Sequence, residues 1–297
     1  MKYLILVTYE PVISHLEKVI LSLYSADETE FKIILFDNSE NSIREKLSQD
    51  CFSKVHFLSL GENVGLAKAY NSCTDYAFSL EDDAPIDGFL FFDQDSHVSK
   101  SQVVQLISHY DRISKEIDNI GILGASAVDL DGNAYNMKEL PVQSLGSSFS
   151  AVECEYVMSS FSFIPAETIR RLGLYDESLF IDLVDSEFCF RAKKSGLLNL
   201  ISTEVVFTHE VGIKNVSLFG KRLFAVSSPL RNYYQTRNVI LVSKKFGWIL
   251  FPTKLLARRI IQFTISGLVS RNLLLRYKYM LMGLYHGVIG KGGKLDP

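Results

Sequence analysis

Apolar residues along the first half of the chain switch repeatedly between two periods. KYLILVTY, from Lys2 to Tyr9, is a continuous apolar run of strand length. From Ser14 onward Leu16, Val19, Ile20 and Leu23 recur at helical spacing, and Ser14 with Glu17 predicts a capping box at that helix start. FKIILFD is the next strand, ending at Asp37, with a polar helix expected around Ser42 to Gln49. KVHFL is a third strand, followed by a helix from about Leu66 to Leu80. GFLFF is a fourth; Ser99 and Gln102 then predict a second capping box, on a helix carrying Val103, Leu106, Ile107 and Tyr110. NIGILGASAV reads as a fifth strand. Strands that are apolar throughout and alternate with helices predict a mostly parallel α/β sheet covered on both faces.

In such sheets ligands bind beyond the carboxyl ends of the strands. Tyr9, Asp37, Asn38, Asn63, Asp93 and Asp95 all follow predicted strands and are expected to converge on one edge. Asp93 and Asp95 stand two apart after the fourth strand. Two carboxylates there can hold Mg²⁺ or Mn²⁺, hard cations that take oxygen ligands and bridge nucleotide phosphates. The other use of Asp after a strand is to cap the next helix, a task that Ser99 already fills. A second Asp-x-Asp, Asp129 and Asp131, runs into Gly132 and Asn133, which is turn chemistry. Asp37 could accept the N3 hydrogen of uracil or thymine, or serve as a loop aspartate. Beyond Glu153 the alternation fades, and Asp182, Asp185 and Glu187 open a helix that Gly196 stops.

Composition narrows the picture. With 297 residues, 47% apolar and 22% charged, the chain can bury a full core. A net charge of −3 argues against a general nucleic-acid binder. Cys51, Cys73, Cys154 and Cys189 lack metal-ligand spacing and read as reduced thiols. The first apolar run is too short for a signal-peptide core, so a cytoplasmic protein is expected.

The character changes after Asn238. From Val239 to Pro297 one acid, Asp296, stands against ten lysines and arginines. The apolar runs IIQFTISGLV and YMLMGLYHGVIG fall short of the roughly eighteen residues a membrane span needs. Basic, apolar helices suit an anionic membrane surface; the alternative is packing against the rest of the chain or a second subunit. The expected division is therefore a domain over 1–238 and a helical appendage over 239–297.

VTYEP, ILFDNSE, ENVGLAKAYN, FFDQDS and FIDLVDSEFCFRAKKSG occur in an order and spacing that resembles the family 2 glycosyltransferases of GT-A fold. The similarity runs from Leu4 to Asn238 and is closest to bacterial rhamnosyltransferases, which extend surface polysaccharides from dTDP-L-rhamnose. The resemblance implies Thr8, Tyr9 and Asp37 around the nucleotide base, with Asn63 and Gly65 along the ribose and phosphates. It implies Asp93 and Asp95 at metal and donor, Asp95 the direct ligand, with Asn38 and Gln94 completing the donor set. Glu10 stands where the family commonly has Asn. The family's Glu-Asp pair falls on Val184 and Asp185, which makes Asp185 the general base and Asp182 the reserve. His209 matches a histidine that completes the metal shell or touches the diphosphate, a structural histidine being the alternative. Arg231 and Arg237 in RNYYQTRN match a segment closing over the donor, where arginines suit a diphosphate and a solvated helix face would use the same residues. The implied reaction is an inverting, metal-dependent transfer to a lipid-linked glycan at the inner face of the cell membrane. A UDP-sugar donor is the alternative within the class. A haloacid-dehalogenase-type phosphatase, which also places Asp-x-Asp after a strand, and a non-enzymatic membrane adaptor are alternatives outside it.

Overall fold

The computed structural model describes residues 1–24, 31–81, 85–94, 96–129, 132, 143–144, 150–209, 214–218, 221–248 and 250–295. Asp95 and Asp131 lie outside the described residues. The chain forms two compact units, Met1–Tyr175 with Asp185–Glu210, and Asp176–Val184 with Val211–Pro297.

The first unit follows the two periods closely at its start. In chain order come β1 (Lys2–Thr8), α1 (Ile13–Leu23), β2 (Phe31–Asp37), α2 (Gln49–Phe52), β3 (His56–Ser59), α3 (Leu66–Phe78) and β4 (Gly88–Asp93). Then follow β5 (Ser96–His97), α4 (Lys100–Ile113), β6 (Ile120–Val128), β7 (Gln143–Ser144), β8 (Ala151–Glu153), β9 (Ser162–Pro165), α5 (Ala166–Leu172), α6 (Val184–Lys194) and β10 (Leu198–His209). The strands lie in the order β3-β2-β1-β4-β9-β6-β10-β8-β7, with β5 paired to β10. Neighbours from β3 to β4 are parallel, as are β6 and β10. Between β4 and β6 the short, wholly buried β9 runs antiparallel to both. A Cβ at Gly88 would run into the Phe163 ring, so glycine admits β9 there.

Both sheet faces are covered. Leu4, Leu6, Leu35, Leu90 and Phe92 pack with Leu16 and Ile20 of α1 and Val103 and Leu106 of α4. On the other face the rings of Phe89 and Phe91 meet Phe78 and Tyr70 of α3 at 5.3 and 4.8 Å. Tyr175 packs edge-on against Phe91 at 5.5 Å and lies 4.7 Å from the Phe188 ring of α6. All four cysteines are free and buried.

Two local expectations need correction. The capping box at Ser99 and Gln102 is present on α4, but α1 begins at Ile13 behind Val12 and has no side-chain cap. Ser14 is already inside the first turn there, and Glu17 instead accepts the backbone N–H of Ser48 at 2.7 Å. The polar helix expected over Ser42–Gln49 is a 3-10 turn, Arg44–Lys46, followed by the four-residue α2. Asp37 reorganises this stretch, as described below.

The second unit holds β11 (Lys214–Leu218) and β12 (Lys221–Val226), an antiparallel pair, then α7 (Pro229–Phe246), α8 (Leu250–Ser270) and α9 (Leu273–Ile289). The division expected after Asn238 falls inside α7, where Asn238, Val239 and Val242 are all buried. Arg276, Met280, Gly283 and Gly287 form the buried stripe of α9. Gly283 lets the helices approach closely: a Cβ there would lie 2.5 Å from the Tyr233 carbonyl of α7. Among the described residues no helix is long and apolar enough to cross a membrane.

Candidate active site

The parallel register of β1, β2 and β4 sets Thr8 beside Asp37 and Val7 beside Asp93, so three strand ends share one edge. Asp37 is fully buried and organises the loop that follows it: Oδ1 accepts from the Ser39 N–H at 3.1 Å and Oδ2 from the Ile43 N–H at 2.9 Å. Those two bonds shape the turn that replaces the expected helix. Asn38 donates its N–H to the Thr8 carbonyl at 2.8 Å, and its side-chain oxygen accepts the Val64 N–H at 2.8 Å. It thereby ties the loops after β1, β2 and β3 together. Asn63 accepts the Gly65 N–H at 3.0 Å, and Gly65, with φ of 83°, takes a left-handed conformation as it enters α3. The Tyr9 N–H donates to Gln94 Oε1 at 2.8 Å, while Tyr9 itself stays 43% exposed beside the edge.

Asp93 is held by two hydroxyls that come from distant parts of the chain. Tyr70 of α3 donates to Oδ1 at 2.9 Å, and Ser160 donates to Oδ2. Burial, then the nearby Asp93 charge, pushes the Tyr70 hydroxyl well above its ordinary range, so it remains a donor at neutral pH. Ser159 lies 3.2 Å from the same hydroxyl. Beyond Asp93 the chain turns into β5, which pairs antiparallel with the end of β10 so that Ser96 faces His209. The structure thus brings the buried His209 to the strand end carrying the Asp-x-Asp motif. The second Asp-x-Asp follows turn chemistry at its described ends: Gly132, with φ of 79°, donates to the Asp129 carbonyl at 3.0 Å.

Asp185 stands in the first turn of α6, half-buried, and the Ser186 N–H donates to its Oδ1 at 2.7 Å. Tyr175 links this residue to Asp93. Two bonds of 2.9 Å between the Tyr175 backbone and the Asn71 side chain fix it to α3. Its hydroxyl is pushed well above the ordinary range by burial first, with charges that include those of Asp185 and Asp93 adding. Both carboxylates therefore act on the charge state of one buried hydroxyl. Glu187 pairs with Arg191 at 2.8 Å, and Arg191 reaches the Leu172 and Leu174 carbonyls, anchoring α6 below Asp185.

No protein-family model matches the chain. The dTDP-rhamnosyl transferase RfbF of Shigella flexneri is 31% identical over 251 residues, covering 82% of this chain and 80% of its own length. The chain belongs to the family 2 glycosyltransferases. A hexosyltransferase of low-salt glycan biosynthesis, Agl10 of Haloferax volcanii, is 22% identical over 291 residues, 94% of this chain and 89% of its own. The GT-A architecture is shared with solved structures. GalNAc-T7 with UDP, GalNAc and Mn²⁺ has a TM-score of 0.61 at 16% identity, covering 97% of this chain and 56% of the other. The mannosyltransferase PcManGT of Pyrobaculum calidifontis, with GDP-Man and Mn²⁺, has a TM-score of 0.57 at 12% identity, covering 98% and 86%. An enzyme that transfers sugar from a nucleotide-sugar donor sets aside the phosphatase and adaptor alternatives.

Within this glycosyltransferase the remaining predicted residues have other partners. In the second unit Arg231 grips Asp182 through Nε at 3.1 Å and Nη2 at 2.6 Å, and Gln235 adds a third bond at 3.4 Å. Phe180, Asp182 and Leu183 all have left-handed φ, which the bonds from α7 hold in place. Arg237, expected on the diphosphate, is fully buried and donates to the carbonyls of Ser178, Leu179 and Gly293. Its guanidinium also lies over the Tyr233 and Tyr234 rings, at 5.2 and 5.1 Å. That set of bonds makes it a brace of the second unit rather than a donor ligand. Asn238 donates to the Leu179, Ile181 and Asp182 carbonyls in the same way.

The fit to a divalent cation rests on Asp93 and its neighbours. Among the described residues no three His, Cys, Asp or Glu side chains gather into a cluster. Asp93 nevertheless suits a hard ion: a carboxylate has roughly four acceptor sites, and the two hydroxyls use one on each oxygen. Sequence reasoning missed Tyr70, Ser159, Ser160 and Tyr175. The polar pair within the apolar stretch MSSFSFIP was the one available signal; Tyr70 and Tyr175 read as plain core.

Proposed function

We propose that this glycosyltransferase moves L-rhamnose from dTDP-L-rhamnose to a glycan on a lipid carrier, inverting the anomeric carbon, in cell-surface polysaccharide assembly. The observation that carries the reading is the strand-end cluster of Thr8, Asp37 and Asp93, with Asp93 held by the Tyr70 and Ser160 hydroxyls. The sugar follows the Shigella relative, whose name gives dTDP-rhamnosyl transfer. Thr8, Tyr9, Asp37 and Asn38 would surround the base, Asn63 and Gly65 the ribose and phosphates, with Asp93, Gln94 and Asp95 at the diphosphate and sugar. Asp95, Asp93 and His209 would hold Mg²⁺ or Mn²⁺, whose charge would stabilise the departing diphosphate. Asp185 would take the proton of the acceptor hydroxyl as that oxygen bonds to C1 and the C1–O bond to phosphate breaks. Attack from the face opposite the leaving group inverts the centre. An acceptor on a lipid carrier would place the work at the inner face of the cell membrane.

A donor panel tests the reading. dTDP-L-rhamnose with Mn²⁺ should raise the melting temperature by mass action and release dTDP when acceptor is supplied. UDP-sugars at the same concentration should do neither. A melting shift with UDP-sugars alone would move the enzyme to the other pyrimidine donors.

A further inference from the structure

The helices α8 and α9 combine two features that are unrelated to sugar transfer. From Leu250 to Leu295 the sequence has eight Lys and Arg, seven of them besides the buried Arg276, and no Asp or Glu. Across α8 and α9 a run of large apolar side chains also faces outward. Leu274 is 86% exposed and Leu268 65%, with Val269 and Leu275 exposed beside them. They surround the corner between the two helices, where a shallow recess of about 400 Å³ is lined by Leu268, Arg271, Asn272, Leu274 and Leu275. The corner is rigidly built: the Asn272 N–H donates to the Gly267 carbonyl at 3.1 Å, and a Cβ on Gly267 would lie 2.7 Å from the Leu273 Cα. Farther along α9, Leu281, Tyr285 and Val288 continue an exposed stripe at helical spacing from Leu274, with the exposed Lys278 between them. The opposite stripe, Arg276, Met280, Gly283 and Gly287, is the one already buried.

Single exposed leucines are ordinary on protein surfaces, but a contiguous apolar corner is not. We infer that the α8–α9 corner docks on an anionic lipid surface, with Leu268, Leu274 and Leu275 entering the acyl boundary and Arg271 and Lys278 meeting lipid phosphates. Charge decides between lipid and a second copy of the chain. A two-fold contact would lay this acid-free surface on itself and set cation against cation, whereas lipid phosphates complement it. The inference gives the lipid-carried acceptor of the proposed function a physical setting, but it stands on the second unit alone.

The test uses the full-length protein with vesicles of phosphatidylcholine, and with vesicles in which about a third is phosphatidylglycerol. Flotation should recover the protein with the anionic vesicles only, less so at high salt because screening removes the electrostatic part. Leu274→Asp and Arg271→Glu should each weaken that binding about tenfold or more. Leu21→Asp, on the exposed side of α1 in the first unit, should leave it unchanged. Because Leu274 is almost wholly exposed, its substitution should not alter the melting curve. Equal binding by wild type and Leu274→Asp, or no preference for anionic vesicles, overturns the inference. So does a dimer by light scattering that Leu274→Asp splits while vesicle binding is untouched. Nucleotide release in solution, measured on the same samples, reports on sugar transfer separately, so either reading can fail without the other.

Discussion

Asp93 keeps its orientation because Tyr70 and Ser160 each give one of its oxygens a hydrogen. Hydrogen bonds to charged groups contribute about 1.5–3 kcal/mol each, so Tyr70→Phe should weaken metal-dependent donor binding about tenfold or more. The ring packing against Phe91 and Tyr175 survives that change, so donor KM should rise more than kcat falls, as titration calorimetry and steady-state rates would show. An unchanged donor affinity would mean that Asp93 needs no positioning. The raised Tyr70 and Tyr175 hydroxyls also carry a pH signature. Their folded values exceed the unfolded value of about 10, so their stability contribution is full below that pH and is lost as pH rises through the folded values. Melting temperature should fall in strongly alkaline buffer, and less steeply in Tyr70→Phe. At the other carboxylate, Asp185→Asn should keep donor affinity and lower turnover about a hundredfold or more. Asp182→Asn should chiefly lower the melting temperature, since it weakens the Arg231 pair. If their effects on turnover are reversed, the base is Asp182, three residues earlier and ahead of α6.

At the scale of elements, two Ser-x-x-Glu/Gln signals with the same spelling behave differently. Ser99→Ala removes a real capping box and should cost about 1 kcal/mol, read as a lower midpoint in chemical denaturation. Ser14→Ala should be close to neutral, because α1 starts ahead of it and Val12 stands at the cap. In α9 the constraint is contact rather than capping. Gly283→Ala would drive a methyl group against the Tyr233 carbonyl and the Arg237 N–H, prising α9 from α7 at a cost of about 1–3 kcal/mol. The same denaturation curves would show whether the helices can relax around it.

At the scale of the whole molecule, the two units are interleaved along the chain, and the second reaches back to take in Asp176–Val184. Arg237 and Asn238 fasten that segment, and the Leu295 N–H donates to the Tyr234 hydroxyl at 3.0 Å. A fragment ending at Asn238 would stop halfway along α7 and uncover Tyr233 and Arg237, both fully buried in the intact chain. Such a fragment should be insoluble or rapidly digested in limited proteolysis, whereas the full chain should resist. A stable, donor-binding fragment 1–238 would instead show that the catalytic domain folds without its helices.

The strands β1 to β4, the helices α1 and α3 and the edge bearing Asp37, Asn63 and Asp93 were legible in the sequence. Their signals are local: apolar period, a strand's end, and a polar residue directly after it. The insertion of β9 beside β4, the two hydroxyls on Asp93 and the meeting of β5 with β10 at His209 were not. Each joins residues dozens of positions apart, and no local pattern encodes which distant strand fills a gap in a sheet. Arg237 shows the same limit from the other side. The sequence determined a basic, aromatic helix that suits a diphosphate equally well. Only the tertiary structure decided that its guanidinium lies where water and ligand are excluded, so that it must satisfy buried carbonyls instead.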